Sequence, residues 1–117
     1  MNIRVECYLV VLKRYKEMYP EAHFEVITQT AKSCLSPSKE LLNYAKEDKI
    51  TFHEYKVRFL KEIRESPIAI KRLKLLKQIA KDRMIFLVCF EKDASKCHRS
   101  IVRDILINPK LYGFDLS

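Results

Sequence analysis

Glycine is nearly missing from this 117-residue chain, which has only Gly113, and tryptophan is missing altogether. A Walker loop, a G-x-G-x-x-G dinucleotide turn or a Gly-rich lid each needs several glycines, because the backbone must approach a phosphate closely or adopt positive φ. P-loop NTPases and Rossmann dehydrogenases of the usual kind are therefore excluded. No apolar run approaches the ~20 residues that would span a bilayer. The opening stretch Met1-Asn2-Ile3-Arg4-Val5-Glu6 lacks the basic start and apolar core of a signal peptide. The expectation is a cytoplasmic protein with no membrane association. In that setting Cys7, Cys34, Cys89 and Cys97 are expected to be reduced. There are no internal repeats, low-complexity tracts or linkers, so residues 1–117 are expected to form a single α/β domain.

The chain does have charge and apolar periodicity. Hydrophobic residues are 48% and charged residues 32%, which separates it from disordered chains. The net charge of +8 permits attraction to nucleic acid or anionic metabolites without demonstrating either. Residues 3–8 alternate as a strand does, and 9–19 read as a helix with Leu12, Tyr15 and Tyr19 on one side, stopped by Pro20. Residues 23–28 favour a second strand. Ser36 as N-cap with Pro37 at the first helical position predicts a helix to about Lys46. Thr51 and Glu54 match a capping box before a helix carrying Phe52, Tyr55, Phe59, Leu60 and Ile63.

Ser66-Pro67 opens a further helix to about Lys81, with Ala69, Leu73, Leu76 and Ala80 inward, widened by Ile68, Leu75 and Ile79. Its lysines 71, 74, 77 and 81 lie on the opposite arc, and Arg72 falls among the apolar positions, where it must snorkel or pair. The unbroken apolar run 84–90 reads as the centre of a sheet, buried on both faces. A polar turn and a helix from 96 to 107 follow. The order β-α-β, three helices, β-α implies a small, mainly parallel sheet of three or four strands with helices packed on it in a Rossmann-like layered arrangement.

The chemistry concentrates between Cys89 and Arg99. Cys89 closes the central strand, and Cys97, His98 and Arg99 open the next helix. This is the carboxyl edge of the sheet, where open α/β folds bind ligands. A helix N-terminus suits an anion and lowers a nearby thiol pKa, which favours Cys97 as a thiolate. His98 or Glu91 would handle protons, and Arg99 offers a planar fork for phosphate or carboxylate. Cys89, Tyr8, Thr28 and Thr30 follow the strands and are expected to line the same edge.

The segments Leu35-Ser36-Pro37-Ser38, Ile50-Thr51-Phe52-His53-Glu54-Tyr55, Leu87–Asp93 and Cys97-His98-Arg99 resemble the family known as domain of unknown function 488. The sharpest part is the motif C-[YF]-E-[KR]-x-x-x-x-C-H-R, and the similarity covers about residues 3–107. The resemblance implies a small intracellular α/β domain and points to Cys89, Glu91, Cys97, His98 and Arg99. It supplies no reaction.

Three functions fit these residues. An enzyme would use Cys97 with His98 or Glu91 on a phosphate-bearing or other anionic substrate such as a nucleotide or nucleic acid, with no cofactor. It would not be a cysteine phosphatase of the usual design, because the formal Cys97-x5-Arg103 match runs into a helix with no glycines. A zinc site would use Cys89, Cys97 and His98, with Glu91 as a possible fourth donor. Two neighbours on a helix point about 100° apart, which makes joint ligation by Cys97 and His98 awkward. A non-enzymatic nucleic-acid-binding module would use the lysine arc, but no helix-turn-helix, RRM or finger signature supports it. The reading favours an enzyme over a scaffold.

Overall fold

The apolar run that follows Met84 becomes the middle of the sheet. A computed structural model describes all residues 1–117. In it strand β3 (Ile85–Val88) lies between β1 (Ile3–Arg4) and β2 (His23–Val26), and both pairings are parallel. All four residues of β3 are fully buried, as a strand covered on both faces requires. Successive side chains take opposite faces: Ile85, Leu87 and Cys89 enter the larger core, while Phe86 and Val88 enter a smaller one. The sheet is thus all parallel and three-stranded.

Each face has its own cover. Helix α1 (Leu12–Met18) brings Tyr15 to the Phe86 ring, edge-on at 5.4 Å, and the Tyr19 that follows it lies 5.1 Å away. Helices α3 (Phe52–Arg64), α4 (Pro67–Ile79) and α5 (His98–Ile107) close the other face with Phe59, Leu60, Ile63, Leu73, Leu76, Ile101 and Ile105. These are the inward positions expected from helical spacing. Helix α2 (Lys39–Lys46) adds Leu41 to the same core. No helix is long and apolar enough to cross a membrane.

Four local readings need correction. The first strand is shorter than 3–8: after Arg4 it makes only an isolated parallel bridge between Tyr8 and Cys89, and residues 9–11 form a 3-10 turn that leaves Val10 outside. Helix α2 is capped by Ser38, not Ser36. The Ser38 hydroxyl accepts the Leu41 N–H at 3.2 Å, and Glu62 of α3 holds Ser38 by its N–H and hydroxyl. The Ser36 hydroxyl instead donates to the Ser33 carbonyl at 2.8 Å, which commits it to the preceding turn. Only half of the capping box forms: Thr51 accepts the Glu54 N–H at 3.1 Å, whereas the Glu54 carboxylate turns to Arg58, one turn on. On α4 the inward stripe is narrower than expected, because Ile68 and Leu75 face outward at 72% and 47% exposure.

Arg72 pairs. Its guanidinium makes two parallel hydrogen bonds of 2.6 Å to the Glu25 carboxylate on β2. His23 reaches the same carboxylate at 2.8 Å. The sole glycine also has a structural role. Gly113 ends the turn Pro109–Tyr112 at φ +82°, where a Cβ would lie 3.4 Å from Cδ of Arg64.

Candidate functional site

Because β2 and β3 run parallel, both release their chains at the same end of the sheet. Thr28, Gln29 and Thr30 leave β2 there, and Cys89, Phe90 and Glu91 leave β3. The chain then passes a 3-10 turn (Ala94–Lys96) and enters α5, with Cys97 as its N-cap. Leu42, Ala45 and Lys46 of α2 and Tyr55 of α3 complete the wall of a cavity of 370 Å³ lined also by Lys96, Cys97 and His98. Cys89 and Cys97 are 4% and 3% exposed, so what they show of themselves is turned to this hollow.

The expectation that Cys97 and His98 diverge rests on both lying in a helix. Cys97 does not: its backbone is extended, at φ −121° and ψ 150°, and the helix starts one residue later. Its side chain and the His98 ring therefore share one space. Sγ of Cys89, Sγ of Cys97 and a ring nitrogen of His98 all lie within 4.8 Å of one another. The His98 ring is 5% exposed and packs edge-on against Phe59. Its Nε2 lies 2.5 Å from the main-chain carbonyl of Ile27. A carbonyl only accepts, so Nε2 carries a proton and donates it. Nδ1 faces the Cys97 sulfur at 3.7 Å, while the Cys89 sulfur lies beside the ring, 3.7 Å from Nδ1 and 3.3 Å from Nε2.

This arrangement splits the two thiols. Hydrogen bonding to Cys89, and after it to His98, pulls the Cys97 thiol well below the ordinary range against the opposing effect of burial. Hydrogen bonding to Cys97 and burial push Cys89 far up. The two shifts oppose each other, so of the two thiols ionisation favours Cys97 and disfavours Cys89. Cys7 and Cys34 are both raised by burial. All four cysteines are free.

Of the expected site residues, Cys89, Cys97, His98, Glu91, Thr28 and Thr30 line the cavity. Arg99 and Tyr8 do not. The Arg99 side chain is 0% exposed and directs its donors to main-chain carbonyls: Cys7 at 2.6 Å, Glu91 at shorter range and Lys92 at 3.4 Å. Its two terminal nitrogens clamp the segment after β1 to the turn before α5, and its buried Nε has no partner, so the fork expected to meet an anion is turned to the main chain. The Glu91 contact is to its carbonyl; the Glu91 carboxylate is exposed on the cavity rim. Tyr8 holds Cys89 in place through the backbone, where the Leu9 N–H donates to the Cys89 carbonyl at 2.9 Å, while the residue lines a separate hollow with Arg4, Arg14, Lys92 and Arg103. Arg103 is thus outside the cavity that holds Cys97.

Four contributors escaped the sequence reading. Tyr55 looks like a core aromatic at helical spacing, and it is 4% exposed, but it also lines the cavity. Lys46 and Lys96 place two ammonium groups at the rim against the one carboxylate of Glu91. The Ile27 carbonyl, which orients His98, has no signature in side-chain identity. A cation is less well served. Cys89, Cys97 and His98 are the donors close enough to share an ion, Glu91 is not among them, and the buried Arg99 charge beside them opposes a dication.

Neither a curated protein nor a solved structure matches the chain. The family model described as the active DUF488-N3 subclade, DUF488-N3a, matches residues 7–109, from just after β1 to just past α5, including every residue that lines the cavity. The chain belongs to the DUF488 family, within its active N3 subclade.

Proposed function

We propose that the protein is a cofactor-independent enzyme in which Cys97 is the nucleophile and His98 its proton partner, acting on an anionic, phosphate-bearing substrate. The observation that carries this reading is the fixed orientation of His98. With Nε2 held by the Ile27 carbonyl, Nδ1 faces the Cys97 sulfur and can take its proton. A thiolate made this way attacks an electrophilic centre bound in the cavity, and the imidazolium returns the proton to the leaving group. Lys46 and Lys96 attract the anion at the rim, while Tyr55 and Thr28 lie along the wall. Buried Arg99 holds the loop that carries Glu91 and contributes a positive field to the thiol pair. The description of the subclade as active agrees with a working site. Four free thiols suit the reducing cytoplasm, where we place the protein.

Incubation with a panel of phosphomonoesters, phosphodiesters and nucleotides, followed by product analysis and intact-protein mass spectrometry, tests this. Turnover or a substrate-derived adduct on Cys97 is expected. Cys97→Ser should abolish it, and His98→Gln should slow it about a hundredfold or more. Turnover that persists unchanged in Cys97→Ser would overturn the reading, as would near-stoichiometric zinc in protein purified without chelator.

A further inference from the structure

Cys89 stands in the site without a part in the proton transfer just described. It lines the same cavity as Cys97, its sulfur is within 4.8 Å of the Cys97 sulfur, and the two flank His98. A disulfide needs sulfurs at about 2.05 Å with an unstrained dihedral, so closing the remaining gap takes side-chain rotation together with adjustment of the two backbones. Both backbones permit such adjustment, since Cys89 follows the last residue of β3 and Cys97 is extended ahead of α5. The intervening residues 90–96 are mostly exposed and are joined to the core chiefly by Arg99.

We infer that Cys97 is a site of reversible oxidation by hydrogen peroxide and that Cys89 resolves it as an intramolecular disulfide. The inference rests on the reading of Cys97 as the reactive thiolate. In the first step the Cys97 sulfur attacks one oxygen of hydrogen peroxide. An S–O bond forms, the O–O bond breaks, and the departing hydroxide takes the proton held by His98 and leaves as water. Cys97 is then a sulfenic acid and the peroxide has been reduced by two electrons. In the second step the Cys89 sulfur attacks the Cys97 sulfur. The S–S bond forms, the S–O bond breaks, and the hydroxyl leaves with the Cys89 proton as a second water. A dithiol reductant reverses the sequence by exchange.

The preference for this pair follows from position. Cys34 is the most exposed of the four cysteines, but it sits beside the Ile68 carbonyl, away from the cavity. Cys7 is 0% exposed on the opposite face of the sheet, with Phe86 and Val88. Neither is placed to compete with Cys89 for the Cys97 sulfur. Oxidation would remove both the nucleophile and its proton from the site, so the enzyme would be silenced until reduced.

Wild-type protein treated with a small excess of hydrogen peroxide, then alkylated and mapped by mass spectrometry, provides the test. Free thiols should fall from four to two. A Cys89–Cys97 linkage should appear in the monomer, and dithiothreitol should restore all four thiols. Cys89→Ser should accumulate a dimedone-reactive sulfenic acid on Cys97, and Cys97→Ser should leave Cys89 unoxidised. Linkage through Cys7 or Cys34, crosslinks between chains, or passage of wild-type Cys97 to sulfinic acid without a disulfide would overturn the inference. So would full retention of thiols in a sample whose Cys97 alkylates rapidly, a result that would leave the nucleophile reading intact.

Discussion

A guanidinium buried to 0% exposure with three carbonyls for partners, and no carboxylate among them, is a costly arrangement unless something nearby benefits from the charge. Its charge is felt at the thiol pair, where it acts to lower Cys89 against the stronger raising effects of Cys97 and burial. Arg99→Met would leave the carbonyls of Cys7, Glu91 and Lys92 without their donor, at about 1–3 kcal/mol for each that stays buried. We expect a fall in Tm in thermal melts and a smaller thiolate fraction in the surviving folded protein, read by thiol absorbance against pH. A variant as stable and as reactive as the wild type would contradict the clamp. Arg99 also shows where the sequence is a partial guide. It marks the right neighbourhood, but nothing in the motif distinguishes a side chain reaching outward for an anion from one reaching inward for carbonyls. Cys97 and His98 illustrate the same limit. Their adjacency suggests divergence only if both are helical, and the one-residue offset of the α5 start reverses that conclusion. The Ile27 carbonyl that orients the imidazole comes from 71 positions away and is invisible until the chain folds.

At the level of elements, periodicity carries most of the information. The run 84–90 and the inward residues of α3 and α5 are readable because burial on two faces and on one helical stripe leaves distinct patterns. The start of α2 is not, because Ser36 and Ser38 are equally good caps by residue type. The choice falls to Ser38 through Glu62, a partner on another helix. Ser38→Ala should therefore cost about 1 kcal/mol in urea denaturation, and Ser36→Ala distinctly less. The reverse order would place the cap where sequence alone puts it. The outward turn of Ile68 and Leu75 has a related cause: α4 packs on α3 and α5 through Ala69, Leu73 and Leu76, and Arg72 occupies the flank by pairing with Glu25.

Across the whole molecule, that Glu25–Arg72 contact ties β2 to α4 and gives stability a defined pH dependence. Burial pushes the Glu25 carboxyl up, but the hydrogen bonds from Arg72 and His23 outweigh it and hold the group below the usual carboxylate range. A carboxyl depressed in the folded state contributes stability above its unfolded value of ~4 and loses it as pH falls through the folded value. Glu25→Gln should thus be less stable than wild type at neutral pH, with the difference shrinking on acidification. An unchanged acid limb in denaturation curves would refute this. The candidate site also gathers distant parts of the chain, since the segments after β2 and β3 and residues of α2, α3 and α5 line its cavity. The four thiols of the chain separate two controls on reactivity. Exposure favours Cys34, whereas ionisation favours Cys97. Alkylation with limiting iodoacetamide at about pH 6, below the ~8.5 of a free thiol, with peptide-level mass spectrometry, reads which control governs. Modification of Cys97 well ahead of Cys34, and its marked slowing in His98→Gln, is the expected result. Labelling of Cys34 first, or equally slow labelling of all four, would contradict an activated Cys97.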